Sequence, residues 1–145
     1  MPPHAAPKTG RSEACCSKEA MTRPFEFAGR IRSFTFAFVG IWTMLKTQHN
    51  ARVHACATVA VVVAGVIFGV SAAEWCWLVL AIMAVWTAEA LNTAFEFLAD
   101  VASPDFHPLV KHAKDVAAGA VLISAIGAVV IGLLILGPHV LLLTK

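Results

Sequence analysis

Between Trp86 and Asp100 the chain reads Trp-Thr-Ala-Glu-Ala-Leu-Asn-Thr-Ala-Phe-Glu-Phe-Leu-Ala-Asp, with no helix breaker. At about 100° per residue, Glu89, Asn92, Glu96 and Asp100 fall within a helix face roughly 80° wide. Three carboxylates and an amide thus share one stripe of an otherwise apolar helix. Such a set suits a hard cation: Mg²⁺ takes one or two carboxylates and fills its shell with water and phosphate oxygens. A carboxylate of the set held in lower dielectric can also accept a proton as a base.

The elements that carry this stripe belong to a membrane. Of 145 residues, 59% are hydrophobic and 14% charged, and the mean hydropathy is +0.76. Soluble domains lie near roughly 45–50% apolar and 25% charged. The net charge of +2 is too small to argue for nucleic acid. Cys15, Cys16, Cys56 and Cys76 have no metal-ligand spacing and read as reduced packing or tail residues.

Residues 1–23 lack periodicity and read as a disordered tail before a membrane domain over 24–145. Phe34, Phe38, Ile41, Trp42 and Leu45 recur at helical spacing, flanked by Arg30, Arg32 and Lys46. This predicts an amphipathic helix over about 28–50, lying in the membrane interface. A polar patch, Gln48 to His54, precedes the uncharged run Ala55 to Ala73. Three spans are expected, over about 53–73, 75–99 and 113–137, each long enough for a hydrocarbon core of about 30 Å. Ser71 to Glu74 reads as the turn between the first two, with Trp75 and Trp77 as interface anchors. Residues 101–112 read as a loop, Lys114 and Asp115 stand at the mouth of the third span, and Pro138 ends it. The fold class is all-α.

Cations set the orientation. Arg23, Arg30, Arg32, Lys46 and Arg52 precede the first span, and Lys111 and Lys114 lie between the second and third. The positive-inside rule puts the N-terminus and the 100–115 loop in the cytoplasm. Counted from Trp75 at about 1.5 Å per residue, Glu89 lies roughly 21 Å and Glu96 roughly 31 Å further in. Glu96 and Asp100 then reach the cytoplasmic interface, where Lys114, Asp115 and the Gln48–His54 patch also emerge. An unpaired carboxylate at the bilayer centre costs about 2.5 kcal/mol or more, so Glu89 must face protein, water, a metal or a proton. Together these groups suit phosphoryl transfer at a lipid surface, from a metal-bound nucleotide to a hydroxyl. No Gly-x-x-x-x-Gly-Lys-Ser/Thr or Gly-x-Gly-x-x-Gly cradle is present. A non-enzymatic or proton-coupled bundle also uses intramembrane carboxylates, and residue physics leaves both readings open.

Glu89-Ala-Leu-Asn92-Thr-Ala-Phe-Glu96, then Asp100, Ser103-Pro-Asp-Phe-His107-Pro108-Leu and Lys114-Asp115-Val-Ala-Ala-Gly119 carry a resemblance. The chain resembles the prokaryotic diacylglycerol kinase family, which includes undecaprenol kinases, over about residues 30–137. The resemblance implies a homotrimeric kinase of the inner (plasma) membrane with a surface helix, three spans per subunit and sites shared between subunits. It implies transfer of the γ-phosphate of ATP to diacylglycerol or undecaprenol, with Mg²⁺. Carried over, Glu89 is the base on the lipid hydroxyl, Asn92 orients the reacting groups and Glu96 is a metal ligand. Asp100, Lys114 and Asp115 lie around the nucleotide, joined by Arg30, Phe36 and Ala37 from the surface helix. The family usually has a second metal-ligating Glu where this chain has Gln48. That departure implies weaker metal binding there, and a member that has lost activity is the third reading. The Asn-Thr-Ala, His-Pro and Asn-x-Arg-Val-His forms look more like the undecaprenol kinase branch.

Overall fold

The computed structural model describes residues 27–143, with side chains from Ile31 to Leu142. The expected tail over 1–23 and the side chain of Arg30 lie outside the described residues. Among the described residues four helices follow one another: α1 (Phe27–Thr47), α2 (His49–Phe68), α3 (Ala72–Ala102) and α4 (Pro108–Leu143). No strand occurs among the described residues. The chain divides into two compact units between Val39 and Gly40, inside α1. In the first, Ile31, Phe34, Phe36 and Phe38 are all exposed. The second carries the end of α1 and all of α2, α3 and α4.

The last turn of α1 holds Lys46, whose ammonium lies 5.0 Å from the Trp42 ring centroid. A cation there also suits the negative end of the helix dipole. The helix does not run on to 50. Gln48 takes φ −97° and ψ 124°, and α2 starts at the next residue. The sequence gives no breaker here, and the side chain of Gln48 is committed elsewhere, to α3.

Three helices, α2, α3 and α4, are long and apolar enough to cross a membrane. At about 1.5 Å per residue α2 spans about 30 Å, one hydrocarbon thickness. It stops at Phe68 because Gly69 takes the left-handed conformation, φ 64° and ψ 40°. The Gly69 and Val70 N–H groups then donate back to the Val66 and Gly65 carbonyls, at 3.3 and 3.2 Å. Only glycine enters this geometry without steric cost.

Ser71 and Glu74 are not a turn, as the sequence reading has it. Ser71 is the N-cap of α3, with its Oγ 3.4 Å from the Glu74 N–H, and the Glu74 carboxylate accepts from the Ser71 N–H at 2.7 Å. This reciprocal capping box starts α3 three residues before Trp75. Trp75 then packs against Gly65, where an added Cβ would come within 2.8 Å of the ring. The α2–α3 hairpin closes on that contact.

α4 departs from expectation at both ends. His107 accepts the Leu109 N–H on Nδ1 at 3.3 Å, and Pro108 occupies the first helical position. That position needs no N–H donor. The loop therefore shrinks to 103–107, and Lys114 and Asp115 sit well inside the helix. Pro138 does not end the span, since α4 continues through it to Leu143. The His139 ring stacks on Phe68 at 6.1 Å and meets the Ile135 carbonyl at 2.9 Å, so packing carries the helix past the missing donor. α3 packs chiefly on α4.

Candidate functional site

The α2–α3 register places the polar residues. Trp86 Nε1 donates to Thr58 Oγ1 at 3.0 Å, and one turn further on the Ala51 N–H lies against the Glu89 carboxylate. One step beyond, Gln48 Nε2 meets Glu96 Oε2 at 2.7 Å. Three rungs therefore tie the N-terminal half of α2 antiparallel to the C-terminal half of α3. Beyond Gln48 there is no more α2, and the end of α3 and the start of α4 extend past it.

Glu89 is 1% exposed, Asn92 5% and Thr93 4%, the buried polar side chains of the described residues. Thr93 satisfies itself by donating to the Glu89 carbonyl at 2.9 Å. Through the Ala51 N–H the start of α2 brings the positive end of its helix dipole to this cluster, which favours a negative charge there. Asn92 Nδ2 donates to Glu96 Oε1 at 3.2 Å. Glu96 is half-buried, and both of its oxygens are held by amides. Among the described residues two buried side-chain oxygens have no partner, Glu89 Oε2 and Asn92 Oδ1. Leaving a buried acceptor unmet costs on the order of 1–3 kcal/mol. Both point to something that brings a donor or a positive charge.

The structure thus gathers Glu89, Asn92, Glu96 and Gln48. It pairs Asp100 with Lys114 at 3.0 Å, on the adjoining extension of α3 and α4. Asp115 turns instead to Lys111 at 2.6 Å, an exposed i,i+4 pair. Phe36 and Ala37 are exposed positions of the first unit. Arg30 has no described side chain. Sequence reasoning missed the Ala51 N–H and the Trp86–Thr58 rung. Neither has a local signal, because each depends on the interhelical register.

A divalent cation fits this set in part. Among the described residues no three His, Cys, Asp or Glu side chains converge. An Mg²⁺ ion that shares its shell with phosphate needs only one or two protein carboxylates. Glu96 offers one, beside two unmet buried oxygens. Gln48 presents its N–H to Glu96, as it must, since two acceptors face to face would repel. A groove of about 930 Å³ between α3 and α4 opens onto Asn92. Leu80, Met83, Leu91, Phe95 and Val116 line it, so it is apolar apart from Thr87, His112 and its Asn92 end.

A family described as prokaryotic diacylglycerol kinase matches residues 35–136. The chain is similar to an undecaprenol kinase of Bacillus subtilis, 42% identical over 107 residues, which are 74% of this chain and 87% of that protein. It is also similar to a diacylglycerol kinase of a Synechocystis species, 40% identical over 110 residues, 75% of this chain and 63% of the other.

Proposed function

This chain belongs to the prokaryotic diacylglycerol kinase family, and from that premise we propose that it is a lipid kinase. It transfers the γ-phosphate of ATP to the hydroxyl of a membrane lipid, diacylglycerol or undecaprenol. The observation that carries the reading is the pair of unmet buried oxygens, Glu89 Oε2 and Asn92 Oδ1, the second of them on a side chain that lines an apolar groove. A lipid tail fits such a groove, and its hydroxyl is the donor the oxygens lack.

In this mechanism Glu89 Oε2 accepts the proton of the lipid hydroxyl as the oxygen attacks the γ-phosphorus and the bond to the leaving diphosphate breaks. The Ala51 N–H holds the Glu89 carboxylate in place, and burial keeps water from competing for it. Asn92 Oδ1 orients the hydroxyl while Nδ2 fixes Glu96. Glu96 would hold Mg²⁺ with Gln48 beside it, and the ion when bound offsets charge on the phosphate oxygens. Lys114 reaches the phosphates when it leaves Asp100, and Asp115 joins the nucleotide side of the site. The protein works as a homotrimer with shared sites in the inner membrane, its N-terminus and site facing the cytoplasm.

The test is label transfer in mixed micelles with Mg²⁺ and γ-labelled ATP, diacylglycerol and undecaprenol being offered separately. Label is expected in one of the two lipids. Glu89→Gln is expected to lower the rate by about 10²–10⁴ without loss of assembly, the range for a positioned base. Wild-type turnover by Glu89→Gln would remove the base assignment.

A further inference from the structure

Gln48 sits at the break between α1 and α2, in the N-cap position, yet its side chain makes no capping bond. It reaches instead across 48 residues of sequence to Glu96, at 2.7 Å. Glu96 forms no ion pair among the described residues. Its two oxygens are occupied by the amides of Gln48 and Asn92. Two amide N–H groups thus stand where a carboxylate in a half-buried site would otherwise need a cation or a proton.

We propose that Gln48 is a latch for the cation-free protein. Its N–H holds Glu96 Oε2, and with it the start of α2 against α3, until a divalent cation takes that oxygen. The inference rests on the reading of Glu96 as the cation's carboxylate. Neutrality is what makes the latch work. An amide can leave the carboxylate without uncovering a second charge, and its own oxygen is free to turn towards the cation. A carboxylate at 48 has no donor, so two acceptors would stand about 2.7 Å apart and repel until an ion or proton bridges them. With Gln48 in place, the site is assembled before any ion arrives. Gln48 is therefore a positioning residue in the resting protein.

The Ala51 N–H, three residues along and bonded to Glu89, reports the latch locally. Hydrogen exchange of the full-length protein in detergent, without nucleotide or lipid, reads it in EDTA and in Mg²⁺. In EDTA, Ala51 is expected to be protected in the wild type and to exchange roughly tenfold faster in Gln48→Glu and Gln48→Leu, the scale of one lost hydrogen bond to a charged group. Mg²⁺ is expected to restore protection in Gln48→Glu and to leave Gln48→Leu fast. Glu96→Gln, an amide pair that still bonds, should stay protected in EDTA as the wild type does.

Equal exchange of all four proteins in EDTA would overturn the latch. Loss of protection in Gln48→Glu that Mg²⁺ does not repair would overturn the exchange of amide for cation, and the metal role of Glu96 with it. Neither result bears on label transfer to lipid, so failure of the latch and failure of the kinase reading are told apart.

Discussion

Asn92 joins the two halves of the site. Its Nδ2 is bound to Glu96, and its Oδ1 is buried and unmet at the head of the α3–α4 groove. Asn92→Asp keeps the shape, removes the donor and sets a third carboxylate beside Glu96. It is expected to lower label transfer by about 10²-fold or more, as removal of an orienting donor does elsewhere. A monodisperse gel-filtration peak alongside the rate would separate this from misfolding. At this scale the sequence was informative wherever a single helix fixes the geometry. The stripe of Glu89, Asn92 and Glu96 follows from the helical repeat. So does the exposed Lys111–Asp115 pair, from its i,i+4 spacing. Gln48 is different. Its place beside Glu96 depends on the register of two helices, and family resemblance rather than spacing drew attention to it.

At the scale of elements, composition foretold three spans while their ends were misplaced, and each displaced end has a local cause. Ser-Ala-Ala-Glu has the spacing of a capping box, but next to glycine and alanine it reads as a turn. Pro138 reads as a stop, yet the contacts of His139 with Phe68 and the Ile135 carbonyl carry α4 beyond it. The cap makes a quantitative claim. Ser71→Ala removes one side-chain acceptor at the start of α3 and is expected to cost about 1 kcal/mol. A lowered melting temperature in detergent, with label transfer retained below it, would show this. A melting point equal to wild type would mean that the Trp75–Gly65 contact alone sets the hairpin.

At the scale of the whole molecule, apolar side chains outnumber the places to bury them. Val116, Ile123, Leu134 and Leu142 on α4 are each more than 70% exposed. Lipid satisfies such a surface, so exposure alone does not call for a partner. Gly127 and Gly132 add a different signal, because nothing lies within 4 Å of a Cβ built at either position. A neighbouring helix can approach closely there. Cross-linking in native membranes is expected to give a three-subunit species, which Gly127→Leu depletes while helical content is unchanged. A single-subunit band in the wild type would remove the shared sites from the proposal. Membrane class was legible from composition, because an excess of apolar residues has few other uses. Subunit number was not, since it depends on surfaces that one chain does not pair.

The length of α2 has a mechanical consequence. It is pinned at one end by Gln48 to Glu96, and at the other by the left-handed Gly69 and the capping box that follows. Between these points it covers about 30 Å and has no spare turn. A bilayer thicker than this must thin around α2, and a thinner one must tilt it, each at an elastic cost of fractions of a kcal/mol per Å. That load falls on the pinned ends, and one of them is the carboxylate cluster. Hydrocarbon thickness is thereby an input to the geometry of Glu96, and the membrane acts on the protein as a spring as well as a solvent.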